Sequence, residues 1–265
     1  MFNQCVILLI IMGEIETAVV IPARDEEELL PYILDGLSAQ RNIGQTALIL
    51  VDNGSTDRTV DIFEDRRVAL LEAGFQVVET ISEDTPGIAK ACDRGFTHAI
   101  ENLGANIVAR LDADTVPSST WLASLIHRHA SDGSIALLTG PVVPGLPELT
   151  LWRDRLIVPT AKFIGKILKA GRYKEIGMLK FAPGYNMSTT ADAYKRVGGF
   201  QSLFGLTEDV RYNLEVAREF GAGSIRFERL MKVHNSQRRL RMLGYLGTAR
   251  YYFIDSADRQ SVSTT

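Results

Sequence analysis

Short apolar runs alternate with amphipathic segments along the first half of the chain. The runs predict buried strands, because strands that are covered on both faces read as continuous apolar stretches. They span Thr17–Ala23 and residues 47–53, 75–81, 107–114 and 135–142. Apolar positions between the runs recur with helical spacing. Strands that alternate with helices predict a parallel, doubly wound α/β sheet.

Four helices are predicted between these strands. The first follows the acidic residues 25–28, which are expected to cap its start. The second ends at Gly74, since glycine commonly follows the last turn of a helix. The other two span residues 87–102 and 118–130. The conspicuous polar residues then fall at strand ends, where ligands bind to open α/β sheets.

Two carboxylates one residue apart, Asp112 and Asp114, follow the fourth predicted strand. They need solvent, hydrogen-bond partners or a metal ion, because unpaired buried charge is very costly. Carboxylate oxygens are the ligands that Mg²⁺ and Mn²⁺ prefer, so the pair is a candidate metal site. The same spacing also occurs in ordinary turns. Arg110 shares a strand face with Asp112 by alternation and could pair with an acid there.

Length, charge and cysteine content limit the number of domains, the binding partners and the cellular compartment that are expected for this protein. The 265 residues allow one large α/β domain or two small ones, and the net charge of −3 gives no reason to expect nucleic-acid binding. Cys5 and Cys92 lack metal-ligand spacing, which indicates a reducing compartment and a cytoplasmic location. The apolar run at residues 5–12 is too short to cross a bilayer. An extra strand and a start at Met12, which would exclude residues 1–11, are both open.

Residues 149–180 mix many Lys and Arg with large apolar side chains. A basic amphipathic segment can lie on an anionic membrane surface, which would place the protein at the inner face of a membrane. A solvated helix with its apolar face in the core is the alternative. The sequence leaves both interpretations open.

A series of short motifs then follows one order along the chain. They are residues 19–27 (VVIPARDEE), 51–57 (VDNGSTD), 111–114 (LDAD), 183–187 (PGYNM), 206–209 (LTED) and 233–239 (VHNSQRR). In this order they resemble the family 2 glycosyltransferases, over residues 17–241. The resemblance implies a GT-A fold, a mixed sheet flanked by helices in a single domain. Residues 14–143 would form the nucleotide-sugar-binding half, and residues 144–255 the acceptor-binding and catalytic-base half.

The resemblance implies a site for a nucleotide-diphosphate sugar. Its residues would be Pro22, Ala23, Arg24, Glu26, Asp52, Gly87, Lys90, Arg110, Asp112 and Ala113. Asp52 would accept a hydrogen bond from the base, and Asp112 would contact the ribose or metal-bound water. Glu26 could instead be an acid that favours a helix N-terminus, and Lys90 could simply be solvated.

A divalent cofactor, Mn²⁺ or Mg²⁺, is implied with the donor. Asp112, Asp114 and His234 would be its ligands, and Arg238 and Arg239 would contact the diphosphate, which guanidinium groups can bind bidentately. A solvated basic turn is the alternative for the two arginines.

The same resemblance implies a catalytic base, Asp209, that takes the proton of the attacking hydroxyl. Glu208 would orient Asp209 or bind the acceptor, together with Gly184 and Asn186. Glu208 and Asp209 could also cap the helix that follows.

The implied function is that of an inverting glycosyltransferase in polysaccharide, glycolipid or cell-envelope glycan synthesis. The acceptor is an unidentified hydroxyl compound, which the basic segment suggests is lipid-linked. A non-catalytic nucleotide-sugar-binding protein and a sugar-nucleotide nucleotidyltransferase are the alternatives. The latter should carry a Gly-rich basic loop after the first strand, where this chain has the acidic residues 25–28.

Overall fold

The computed structural model describes residues 14–145, 182–200, 208–236 and residue 238. The strands are β1 (Thr17–Ala23), β2 (Thr46–Asp52), β3 (Val77–Ser82), β4 (Ile107–Arg110), β5 (Thr115–Pro117), β6 (Leu137–Thr139), β7 (Val142–Pro144), β8 (Met187–Thr190), β9 (Ile225–Phe227) and β10 (Val233–Asn235). The helices are α1 (Leu30–Ser38), α2 (Thr59–Ala73), α3 (Ile88–Glu101), α4 (Trp121–Ser131), α5 (Ala191–Val197) and α6 (Glu208–Phe220). Single 3₁₀ turns span Gly184–Asn186 and Ala222–Ser224.

Seven strands form one mixed sheet in the order β3-β2-β1-β4-β8-β6-β9. β1 to β4 run parallel, as the alternation of strands and helices predicts. β8 is antiparallel to both of its neighbours, β4 and β6. A second sheet of three strands has the order β5-β10-β7. The predicted fold, a mixed sheet flanked by helices, is confirmed.

Burial on both faces explains the continuous apolar strands. Val19 and Ile21 of β1 belong to the hydrophobic cluster with α1 and α2, whereas Ala18 and Val20 belong to the cluster with α3. Gly95 lets α3 approach the sheet closely, since an added Cβ would lie 2.8 Å from Val51 Cγ2 and closer still to Val20. In the first half of the chain, helices therefore pack tightly against both faces of the parallel strands.

Two predicted strands are shorter than expected. The strand predicted over residues 107–114 ends at Arg110, and the two aspartates lie in the turn before β5. The strand predicted over residues 135–142 is divided into β6 and β7 around Gly140. A Cβ at Gly140 would overlap the carbonyl of Met231, so the close approach of another segment separates the two strands.

The prediction that residues 25–28 cap the first helix is wrong. No acid lies in the first turn of α1, which begins at Leu30. Asp25 instead has a positive φ of 52°, a conformation that aspartate tolerates better than most residues. The backbone N–H of Asp25 donates to Ser55 Oγ, and that of Glu26 donates to Thr59 Oγ1. Contacts with the loop before α2 and with the first residue of α2 therefore set the conformation of this segment. A local sequence pattern cannot report contacts between residues about 30 positions apart.

Some predictions concern residues outside the described ranges, namely those on residues 1–11, on residues 149–180 and on Arg239. The division into two halves at residue 144 also stays a prediction. Within the part of the chain that the structure describes, no helix combines the length and the apolar character that crossing a membrane requires.

Candidate active site

β1, β2 and β4 deliver the predicted site residues to one edge of the sheet. The three strands are parallel neighbours, with Ala23 beside Asp52 and Val20 beside Arg110 in the register. Parallel strands end at a common edge, so the residues that follow them lie close in space. This edge is the candidate active site.

Arg110 is the most enclosed charged group at this edge, with a side chain only 3% exposed. Its Nε lies 2.7 Å from Asp112 Oδ1, its Nη2 lies 3.2 Å from Asp112 Oδ2, and its Nη1 lies 3.0 Å from Glu208 Oε1. Burial favours the neutral guanidinium, but the two carboxylates outweigh it and hold the pKa of Arg110 above its usual value. Burial raises the pKa of Asp112, and the charge of Arg110 opposes that shift.

Gly184 joins Arg110 to the predicted base. Its backbone N–H donates to Asp209 Oδ2 over 3.2 Å. A Cβ added at Gly184 would lie 2.7 Å from the Cζ atom of Arg110, so only glycine fits against the guanidinium. Asp209 directly follows Glu208 in the first turn of α6. The structure therefore brings four predicted site residues together: Arg110, Gly184, Glu208 and Asp209.

Asp114 is held by the second sheet. Ser236 Oγ donates to Asp114 Oδ2 over 2.8 Å, and Asn235 Nδ2 donates to Asp114 Oδ1 over 3.3 Å. The backbone N–H of Ser236 also donates to the Asp114 carbonyl. Sequence reasoning missed Asn235 and Ser236, although both lie in the motif at residues 233–239. The available signal was two short polar residues, one at the end of β10 and one directly after it.

Asp112 and Asp114 fit a divalent ion by their chemistry. Mg²⁺ is commonly bound by one or two carboxylates and completed by phosphate oxygens and water. Both side chains are partly exposed at the strand edge. Among the described residues, no three His, Cys, Asp or Glu side chains form a group that could hold a metal by themselves. The role of His234 as a metal ligand stays a prediction. By strand alternation, the His234 side chain lies on the opposite face of β10 from that of Asn235.

Arg238 contacts Glu26, another predicted donor-site residue. Its Nη1 and Nη2 each lie 2.7 Å from a carboxylate oxygen of Glu26, a bidentate pair. Burial raises the pKa of Glu26, Arg238 opposes this, and the negative charges of Asp114 and Asp112 add to the rise. The structure thus places Glu26 among the site carboxylates and not in the first turn of α1.

Asp52 lies half-buried at the end of β2, where its Oδ1 accepts the Ser55 N–H over 3.1 Å. Next to it, Asn53 holds the segment that leads into α3. Its amide donates to the carbonyls of Glu83 and Thr85, and its oxygen accepts the Gly87 N–H over 2.8 Å. Gly87 has a φ of 132°, which favours glycine. Sequence reasoning did not give Asn53 this role.

The remaining residues predicted to bind the nucleotide sugar differ in the solvent exposure of their side chains. Pro22, Ala23 and Ala113 are buried, so a ligand could reach chiefly their backbone groups. Arg24 and Lys90 have exposed side chains at the same edge.

The contact of Asn186 with an acceptor stays a prediction, and the structure gives its side chain a packing role. Asn186 is fully buried, its Oδ1 accepts from Trp121 Nε1 over 2.9 Å, and its Nδ2 donates to the Met231 carbonyl over 3.1 Å. A buried amide needs such partners, so Asn186 joins the 3₁₀ turn to α4 and to the segment before β10.

A family model described as glycosyl transferase family 2 matches residues 18–196, a segment that includes Arg110, Asp112 and Asp114 and ends before Glu208. A search of the curated proteins gave no match.

Similar solved structures include TarS of S. aureus in complex with UDP-GlcNAc (TM-score 0.59, 16% identity, 84% of this chain and 59% of that chain). The mannosyltransferase PcManGT of Pyrobaculum calidifontis, in complex with GDP-Man and Mn²⁺, has a TM-score of 0.58 at 18% identity over 87% of this chain and 61% of that chain. Glucosyl-3-phosphoglycerate synthase of Mycobacterium tuberculosis, with Mn²⁺, UDP and glucosyl-3-phosphoglycerate, has a TM-score of 0.56 at 20% identity over 91% and 78%.

At these identities the structural likeness shows the fold. The chain spans 59% and 61% of the length of the first two of these proteins. The family model, in contrast, matches well over half of this chain. The chain belongs to glycosyl transferase family 2 and has the GT-A fold.

Proposed function

We propose that this chain moves one sugar from a nucleotide-diphosphate donor to an acceptor hydroxyl, with inversion at the anomeric carbon. One observation carries the proposal: the Arg110 guanidinium contacts Asp112 on the donor side and Glu208, next to the base candidate Asp209. A displacement in one step needs a donor site and a base at the same place. Here the carboxylates of both sides meet at one side chain.

The donor class is supported by the similar structures. They hold UDP-GlcNAc, GDP-Man with Mn²⁺, and UDP with Mn²⁺. We assign Asp52 to the base of the nucleotide, because its carboxylate ends β2 at the same edge and remains half-exposed.

Asp114, assisted by Asp112, would hold Mn²⁺ or Mg²⁺. Such an ion supplies Lewis-acid stabilisation of the negative charge on the departing diphosphate. Asn235 and Ser236 fix the orientation of Asp114 through neutral hydrogen bonds. Arg238 would exchange Glu26 for the diphosphate, since guanidinium binds either anion bidentately.

Asp209 would act as the general base. Its ionised carboxylate takes the proton of the acceptor hydroxyl while the hydroxyl oxygen bonds to the anomeric carbon and the bond to the diphosphate oxygen breaks. Attack on the face opposite the leaving group inverts the configuration. The Gly184 N–H, 3.2 Å from Asp209 Oδ2, orients the carboxylate.

Donor binding tests the first part of this proposal. A ligand that binds only the folded state raises the melting temperature by mass action. We expect a Mn²⁺-dependent shift with one of UDP-glucose, UDP-GlcNAc and GDP-mannose. The absence of a shift with every donor and metal would overturn the proposal.

Chemistry tests the second part. Asp209→Asn should keep donor binding and lose sugar transfer to water or to an added hydroxyl compound. Asp35→Asn removes an exposed carboxylate that pairs with Arg66 and serves as the control. Release of pyrophosphate from a nucleoside triphosphate and a sugar phosphate would instead identify a nucleotidyltransferase. Donor binding by a wild-type chain without any transfer would identify a binding protein.

The acceptor is a separate part of the proposal. The basic composition of residues 149–180 supports a lipid-linked acceptor at an anionic membrane surface. Flotation with vesicles that contain phosphatidylglycerol should carry the protein upward. Failure to float at low salt would remove the membrane from the proposal and leave a water-soluble acceptor.

A further inference from the structure

We propose that Arg110 is a positioning residue for the catalytic base and does not bind the donor. The inference rests on the proposed function, because it takes Asp209 as the base. All three hydrogen bonds described for the guanidinium go to protein carboxylates, two to Asp112 and one to Glu208. With the side chain 3% exposed, little of it remains for a nucleotide.

The guanidinium is enclosed by groups that fix its plane. Gly184 lies directly against it, and the ring centroid of Phe200 lies 5.9 Å from its Cζ atom. Phe200 is itself anchored, since its backbone N–H donates to Asp93 Oδ1 over 2.7 Å. Gly199, with a φ of 77°, allows this approach, because a Cβ there would lie 2.6 Å from the same oxygen. A side chain enclosed in this way is preorganised, as positioning requires.

The position of Arg110 sets the position of Asp209. Glu208 and Asp209 are consecutive in the first turn of α6, so a bond from Arg110 to Glu208 fixes the start of that helix. Gly184 contacts both the guanidinium and Asp209. The distance between the donor-side carboxylates and the base therefore depends on one guanidinium. A displacement of about 1 Å at a catalytic group can cost on the order of 100-fold in rate.

Arg110→Lys separates charge from geometry. Lysine keeps the positive charge but lacks the planar fork that reaches two carboxylates at once. We expect the affinity for UDP or GDP with Mn²⁺ to change by less than about threefold, because the charge is retained. The rate at saturating donor, measured as nucleoside diphosphate released from UDP-glucose, UDP-GlcNAc or GDP-mannose with water as acceptor, should fall by about 100-fold.

Two further variants complete the test. Arg66→Lys changes an exposed arginine that pairs with Asp35, and it should leave affinity and rate unchanged. Gly184→Ala keeps every charge but displaces the guanidinium, so it should also lower the rate with little change in the donor KM. It carries the test if Arg110→Lys does not fold.

The outcomes separate this inference from the proposed function. A wild-type chain that binds no donor, or binds one and releases no nucleoside diphosphate, would overturn both. A wild-type chain that is active, with variants that keep its rate, would overturn the positioning role alone. A parallel loss of affinity and rate in Arg110→Lys would show that Arg110 binds the donor, and would also overturn the inference.

Discussion

Asp112 and Asp114 lie one residue apart, yet different kinds of partner hold the two carboxylates. Asp112 is bound by the buried guanidinium of Arg110 through both of its oxygens. Asp114 is bound by the neutral side chains of Asn235, which ends β10 of the second sheet, and of Ser236, which follows it. The turn that follows β4 therefore carries two differently held carboxylates. One is in an ion pair, and the other accepts hydrogen bonds from neutral donors.

Because their partners differ, we expect the two carboxylates to have different roles in the site. A bidentate ion pair offsets the charge of Asp112 and fixes its direction. Neutral hydrogen bonds orient Asp114 while leaving its charge available to a cation, as outer partners of metal ligands do. We expect Asp114 to be the principal metal ligand and Asp112 to organise the site around Arg110.

The largest expected effect is that of Asp114→Asn on metal-dependent donor binding. Without the charge, the affinity for nucleoside diphosphate in the presence of Mn²⁺ should fall by at least about 100-fold, because losing a metal ligand costs more than losing a hydrogen-bond partner of that ligand. Isothermal titration calorimetry with UDP and GDP measures it. Asp35→Asn is the matched control. An unchanged metal-dependent affinity would remove Asp114 from the metal site.

Asp112→Asn should act on stability more than Asp114→Asn does. It removes a charged partner from the buried Arg110, and such a hydrogen bond contributes about 1.5–3 kcal/mol. Urea unfolding without metal should show this loss, whereas Asp114→Asn should lose less than about 1 kcal/mol, since its partners are neutral. Equal losses in the two variants would contradict the contrast.

Acidification affects a group away from both aspartates. His129 is buried, its Nε2 lies 2.9 Å from Ser188 Oγ, and burial lowers its pKa from 6.5 to about 4. Because the folded-state pKa is below the unfolded value, the unfolded chain takes up the proton first. Stability present above pH 6.5 is therefore lost as the pH falls toward 4.

The expected loss is roughly 2 kcal/mol between pH 7 and about 4.5. Urea unfolding of the wild-type chain and of His129→Gln at both pH values measures it, and His129→Gln should lack this part of the loss. The same loss in both proteins would place the acid sensitivity at the site carboxylates instead.

The smallest expected effect concerns the neutral partners of Asp114. Ser236→Ala removes a 2.8 Å hydrogen bond to Asp114 and should weaken Mn²⁺-dependent nucleotide binding by about tenfold, as loss of an outer partner does. Ser224→Ala is the matched control, since Ser224 is also buried and donates over 2.8 Å, to the Gly221 carbonyl. Equal affinities in the two variants would mean that Asp114 needs no support from the second sheet.

Much of the first half of the chain could be predicted from the sequence. The bounds of β1 are those that its apolar run predicts, because a strand buried on both faces leaves a continuous local signal. The pairing of Arg110 with an acid also follows from strand alternation. The packing role of Asn186 could not be predicted, because the partners of its amide, Trp121 and Met231, are far from it in sequence.

The sequence by itself determined the alternation of strands and helices, the parallel first half and the two aspartates at its edge. Each of these follows from local patterns of apolar and polar residues. Only the tertiary structure decided that Arg110 joins Asp112 to Glu208, and that Asn235 and Ser236 hold Asp114. Glu208 lies 98 positions from Arg110, and Asn235 and Ser236 lie 121 and 122 positions from Asp114. Local sequence patterns do not show which of many polar residues will meet at such separations, because the packing of separate elements determines it.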